Sequence, residues 1–152
     1  MIKHIKCDIF ESGANVICHQ VNCQGVMGGG VAKQVRNKYP FVYSRYRQLC
    51  DNMKDNRSEL LGIAQFVRTS EDNYIVNLFA QENFGYNGCY TDYKALRKCF
   101  EYVDRNCFEE TIAIPYMLGC GLAGGDWNIV YEIILEVFVG SDNTVLICEY
   151  NG

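Results

Sequence analysis

Asn22-Cys23-Gln24-Gly25-Val26-Met27-Gly28-Gly29-Gly30-Val31-Ala32-Lys33-Gln34-Val35-Arg36-Asn37-Lys38-Tyr39 leads three adjacent glycines straight into a segment with helix-like spacing. The residues before it, Ala14 to Val21, read as a strand, so the whole is a strand, a glycine loop and a helix in succession. Glycine reaches backbone conformations barred to other residues and lets a ligand approach the main chain. The helix that follows offers unpaired N–H groups and a positive dipole end. Such a junction suits an anion, phosphate above all. It carries neither the Gly-Lys-Ser/Thr of a nucleoside triphosphate loop nor a Gly-x-Gly-x-x-Gly after a first strand. The alternative reading is a glycine turn that serves packing alone.

The same logic returns late in the chain. Gly119-Cys120-Gly121-Leu122-Ala123-Gly124-Gly125-Asp126-Trp127 also runs from a strand end into a helix, and two such loops can supply N–H donors to a diphosphate from two sides. Val, Ile and aromatic runs predict strands at Ile2 to Cys7, Ala14 to Val21, Gly62 to Val67, Tyr74 to Phe79, Thr111 to Tyr116 and Thr144 to Glu149. Several are continuously apolar, as in strands covered on both faces. Helices are expected at Val31 to Lys38, at Phe41 to Met53 beyond Pro40, from Thr91 and from Asp126, the last two residues standing at N-cap positions. Thr69 to Asn73 reads as a turn joining two neighbouring strands in a hairpin, so the expected sheet is mixed within an α/β layer fold. In such sheets ligands sit at the carboxyl ends of strands, where both glycine loops fall.

A length of 152 residues fits one domain able to bury its own core. The apolar fraction of 49% excludes disorder. A net charge of -4 argues against a dedicated nucleic-acid binder, and Lys33, Arg36, Lys38, Arg45 and Arg47 read as a solvated helix face. The nine cysteines are odd in number and no signal peptide is recognised, so free thiols in a reducing cytosol are expected rather than a disulfide framework. No Cys-x-x-Cys spacing marks a zinc site, and neither metal nor cofactor is expected. The longest apolar stretch, Ile129 to Val139, is interrupted by Tyr131, Glu132 and Glu136, so no membrane span is expected.

Few side chains near the loops carry chemistry. His19, on an apolar strand beside the first loop, is either an acid or base for a bound ligand or a satisfied structural residue. His4 looks structural. Asp126 is either the N-cap of its helix or a catalytic carboxylate. Asp8 follows the first strand, where an acceptor can take an adenine amine or cap a turn. Asn83-Phe84-Gly85-Tyr86-Asn87-Gly88-Cys89-Tyr90 is a glycine and aromatic loop suited to a pocket rim.

Taken in order along the chain, these signals resemble a macrodomain, the ADP-ribose-binding module, over nearly the whole length of 1–152 as one domain. Cys7-Asp8-Ile9-Phe10 is similar to the family's Gly-Asp-Ile element, His19 to Ala32 to its first phosphate loop, and Gly119 to Trp127 to its second. The His-x-x-Asn-Cys-x-Gly-x-x-Gly-Gly-Gly-Val-Ala form, followed by Tyr39-Pro40, is most similar to the branch of ADP-ribose 1″-phosphate phosphatases and the terminal ADP-ribose protein glycohydrolase. The resemblance implies a three-layer α/β/α fold with a central mixed, mostly parallel sheet. It implies that Asp8 takes adenine, that Ile9 offers its N–H and that Asn22 reaches the distal ribose. By the same analogy Gly28, Gly29, Gly30 and Val31 wrap the diphosphate from one side, and Gly119, Cys120, Gly121, Leu122, Ala123 and Gly124 from the other. The implied partners are ADP-ribose, a derivative of it or an ADP-ribosylated macromolecule, with nucleic acid entering only as a modified substrate.

The resemblance departs where glycohydrolases keep their catalysts. A lysine after the central strand and an aspartate in the second loop are approximately replaced by Gln81 and Ala123. Glutamine forms no Schiff base and alanine moves no proton. The first loop also lacks the double asparagine of another hydrolase branch. A phosphatase acting on ADP-ribose 1″-phosphate stays chemically reasonable, with His19 and Asp126 as candidate catalytic residues beside the two anion loops. Its competitors are a non-catalytic module that reads or sequesters ADP-ribose derivatives and a de-ADP-ribosylating hydrolase that uses residues other than the missing lysine.

Overall fold

The computed structural model describes residues 1–85 and 87–150. Along them the chain forms β1 (Ile2–Lys6), β2 (Val16–Asn22), α1 (Gly30–Lys38), α2 (Pro40–Asn52), β3 (Ala64–Arg68), β4 (Tyr74–Gln81), α3 (Tyr93–Asn106), β5 (Thr111–Pro115), α4 (Trp127–Phe138) and β6 (Thr144–Glu149). The sheet order is β1-β6-β5-β2-β4-β3, with only the β3–β4 pair antiparallel, so the expected hairpin and the expected mixed, mostly parallel sheet are both present. Pro40 opens α2 at a position where its missing N–H costs no helical bond.

Alternation along the strands sorts side chains into two cores. Val16, Cys18, Val76, Leu78, Ile112 and Ile114 meet Leu96, Phe100, Val130 and Ile134 of α3 and α4 on one face. Ile17, Val21, Ile75, Phe79 and Ala113 meet Val35, Val42, Tyr46 and Cys50 of α1 and α2 on the other. This is why the strand sequences read as continuous apolar runs. Each fully buried side chain of this size contributes roughly 1.5–3 kcal/mol relative to exposure. Among the described residues no helix is long and apolar enough to cross a membrane.

One helix start differs from expectation. Thr91 does not cap α3; Asp92 does, its Oδ1 accepting the Ala95 N–H at 3.0 Å. Thr91 instead bridges to Gln81, and its hydroxyl donates to the Gly119 carbonyl at 2.7 Å. Asp126 caps α4 as expected, accepting the Asn128 N–H at 2.9 Å.

The site is created where the sheet parts. β2 and β5 are neighbours but pair only through Val16 with Ile112 and Ile17 with Ala113. Beyond those pairs β2 feeds α1 on one face, while β5 feeds α4 on the other. Reversal of direction at a carboxyl edge opens a crevice between the two strands.

Candidate functional site

A cleft of about 530 Å³ fills this parting. Residues 19–22 of β2 form its floor, 28–32 one wall, and 115–119 with 121–123, from the end of β5 onward, the other. Phe84 and Gly85 close one end. Tyr86, expected on the same rim, lies outside the described residues. The two glycine loops face each other closely enough that a Cβ on Gly29 would stand 3.2 Å from Leu122 Cδ1.

Both walls offer backbone donors. The first helical bond of α1 runs from Lys33 N to Gly29 O, leaving the N–H groups of its opening turn unused. In the opposite loop the N–H groups of Gly121, Leu122 and Ala123 meet no acceptor among the described residues. The first wall also stands in a positive field. Between Glu11 and Asp51 there is no acidic residue, while Lys33, Arg36, Lys38, Arg45 and Arg47 lie on α1 and α2.

Side chains hold the first loop in shape. Asn22 Oδ1 accepts the Gln24 N–H at 2.9 Å, its Nδ2 donates to Val26 O at 2.7 Å, and the buried Tyr46 hydroxyl donates to Asn22 O and Oδ1 at 2.7 and 2.9 Å. Burial pushes the Tyr46 phenol up, so it stays a donor. Arg57 Nη1 clasps Gln24 through its carbonyl and side-chain oxygens at 3.2 and 3.1 Å. Asn22 therefore lines the cleft but commits most of its hydrogen-bonding capacity to the loop.

Backbone bonds hold the second loop: Gly125 N to Gly119 O at 2.8 Å, Gly124 N to Gly121 O at 3.0 Å, and Tyr90 N to Ala123 O at 2.6 Å. Gly124 has φ +72°, and a Cβ there would stand 2.1 Å from the Gly88 carbonyl oxygen. That position requires glycine for both conformation and space. Nearby, Met117 also lines the cleft with φ +66°, a conformation that costs a side-chain-bearing residue energy and that clusters at functional sites.

The floor supplies acceptors. His19 is 1% exposed, its Nε2 lies 2.6 Å from Asn77 Oδ1, and its Nδ1 has no partner among the described residues. Burial drives the imidazole down to about 4, against a smaller opposing pull from Asn77, so the ring is neutral at pH 7. Gln20 Nε2 donates to Gln81 Oε1 and Thr91 Oγ1 at 2.8 and 2.9 Å, and Gln20 Oε1 has no partner among the described residues. Of the described residues lining the cleft, only His19 and Tyr116 carry titratable side chains.

Of the residues singled out in the sequence, His19, Asn22, Gly28, Gly29, Gly30, Val31, Gly119, Gly121, Leu122 and Ala123 are brought together here, as are Gln81 and Ala123 at the two departures from the glycohydrolase pattern. Asp8, Ile9, Cys120, Gly124 and Asp126 do not line the cleft. Asp8 accepts the Phe10 N–H at 2.9 Å and caps a short turn, and Ile9 is buried behind it. Cys120 turns its thiol to the Leu118 carbonyl at 3.3 Å, with burial raising it to about 11. Cys23 is fully buried and raised to about 12, so both loop cysteines stay protonated spacers. Gln20 and Tyr116 were not anticipated. Gln20 carries no local signal beyond its place between His19 and the loop.

Residues 18–134 match a family model described as Macro domain. An ADP-ribose 1″-phosphate phosphatase of Debaryomyces hansenii is 31% identical over 101 residues, 56% of this chain and 56% of that protein. A DNA ADP-ribosyl glycohydrolase of Mycobacterium tuberculosis is 26% identical over 152 residues, 91% of this chain and 39% of that protein. The chain thus spans about half the length of the first and less of the second. Among solved structures, a Bacteroides thetaiotaomicron protein of unknown function superposes with a TM-score of 0.85 at 27% identity, covering 98% of both chains.

Proposed function

The chain belongs to the macro domain family, and on that footing we propose that its cleft binds ADP-ribose or a derivative and removes the phosphate from ADP-ribose 1″-phosphate. The observation that carries this reading is the pair of facing loops whose free N–H groups converge on a cleft with no acidic side chain in its described walls. Donors fixed in place beforehand bind a diphosphate without reorganising, and they favour the extra negative charge of a phosphoryl transition state. Gly28, Gly29, Gly30 and Val31 grip one side of the diphosphate, and Gly119, Gly121, Leu122 and Ala123 the other.

In this reading water attacks phosphorus, the bond from phosphorus to O1″ breaks with its electron pair left on O1″, and that oxygen takes the proton that the attacking water gives up, while the second water proton stays on the released phosphate. The products are inorganic phosphate and ADP-ribose. His19, neutral and buried at the cleft floor, keeps an unprotonated nitrogen beside the site. Asp126 enters as the cap of α4 rather than as a proton carrier, and Asp8 with Ile9 as the turn beside the base-recognition end. The name of the phosphatase relative supports the substrate, and the absence of a lysine from the described cleft walls speaks against a Schiff-base route.

A binding-only reader is the second reading, favoured by the scarcity of proton-carrying side chains in the cleft. The chain is housed in the cytoplasm in this proposal, in keeping with its nine free cysteines. Calorimetry with ADP-ribose, followed by phosphate release from the 1″-phosphate, tests both steps. Heat with phosphate release is expected; heat without release leaves the reader, and no heat removes both.

A further inference from the structure

A file of side-chain amides crosses the α1/α2 face of the sheet and ends on His19. The Arg45 carbonyl, on α2, accepts from Gln65 Nε2 at 3.2 Å, and Gln65 Oε1 accepts from Asn77 Nδ2 at 2.9 Å. Asn77 Oδ1 then lies 2.6 Å from His19 Nε2. Three elements are joined: Gln65 on β3, Asn77 on β4 and His19 on β2. Asn77 and His19 are both essentially inaccessible to water.

A backbone carbonyl can only accept, and this fixes the direction of the whole file. Gln65 must turn its NH2 to Arg45 and its oxygen to Asn77. Asn77 must then give its NH2 to Gln65 and its oxygen to the imidazole. The opposite arrangement would set the Gln65 oxygen against the Arg45 carbonyl oxygen. It would also move the imidazole proton to Nδ1, which has no acceptor among the described residues.

We infer that Asn77 and Gln65 are positioning residues that lock His19 as its Nε2–H tautomer, leaving Nδ1 an unprotonated, buried acceptor at the floor of the cleft. His19 in this state has no proton to give the cleft. An amide partner differs from the carboxylate of a hydrolase triad, which both orients the ring and stabilises its protonated form. Asn77 raises the basicity only in part, and burial outweighs it, so the ring still titrates low. Any part of Nδ1 in the reaction rests on the proposed function, whereas the tautomer itself does not.

The tautomer is directly readable. His4 and His19 are the two histidines of the chain, so a His4→Gln background leaves one imidazole in long-range proton–nitrogen spectra. Without ligand, the expected pattern is a neutral ring protonated at Nε2. Asn77→Ala should give a mixture of tautomers, and Asn77→Asp, whose carboxylate keeps the acceptor and adds a charge, should return a proton to Nε2 and raise the titration of the ring. With ADP-ribose 1″-phosphate, Asn77→Ala should lower kcat roughly tenfold at unchanged KM. Gln65→Leu, at a half-exposed position, gives the same comparison if Asn77→Ala does not fold. A wild-type ring protonated at Nδ1, or a tautomer unmoved in both Asn77→Ala and Gln65→Leu, overturns the inference. Failure of ADP-ribose to bind would remove the proposed function and leave the tautomer result standing.

Discussion

The two glycine loops present the same backbone donors to one cleft, but they are held by opposite means. The first is braced from outside by side chains of other elements, chiefly Tyr46 of α2 on Asn22 and Arg57 on Gln24. The second is held mainly by backbone bonds, with the Thr91 hydroxyl on Gly119 as a side-chain brace, and by glycines that let stretches of chain touch, as Gly124 does against Gly88. A loop followed by two packed helices has side chains at hand to brace it. A loop perched on the cleft rim has little but its own main chain and the neighbouring loop. Damage should therefore spread differently: into the α1/α2 core from the first loop, and into binding alone from the second.

The largest expected effect comes from Gly124→Ala. A methyl group 2.1 Å from a carbonyl oxygen, on a residue with φ +72°, forces the second loop away from Gly88. Strain and displacement together should cost about 3 kcal/mol of loop organisation, which is roughly a hundredfold in ADP-ribose affinity. Because Gly124 is exposed, the thermal midpoint should move little. Calorimetry beside a melting curve checks this, and equal affinity in the variant would break the distinction between the loops.

Tyr46→Phe should do less, and do it elsewhere. It removes the donor to Asn22 O and Oδ1 inside the core while keeping the ring that packs 5.7 Å from Phe79. The expected loss is about 1–2 kcal/mol of global stability, read as a lower urea midpoint with an unchanged slope, with only a few-fold weaker binding. A large fall in affinity without a fall in stability would show that the first loop is not braced through the core.

The same contrast explains what the sequence reveals. Strand and helix identities were legible because both cores are built from periodic apolar residues, and the shifted ends amount to one or two residues where pairing or capping decides the boundary. Both loops were legible as glycine junctions at strand ends. Asp92 rather than Thr91 caps α3 because Thr91 is drawn to the Gly119 carbonyl, a contact between residues far apart in the chain. Gly124 and Cys120 read as ligand contacts because they sit among residues that line the cleft; the structure packs Gly124 against Gly88 and Cys120 against the core. The file from Gln65 through Asn77 to His19 leaves no local trace, since each member sits on a different strand.

The central claim is that both loops hold one diphosphate, and amide chemical shifts during an ADP-ribose titration test it most directly. The N–H resonances of Gly30, Val31 and Ala32 in the first loop and of Gly121, Leu122 and Ala123 in the second should move together, along one binding curve. Shifts confined to a single loop, or two loops following different curves, would contradict the clamp.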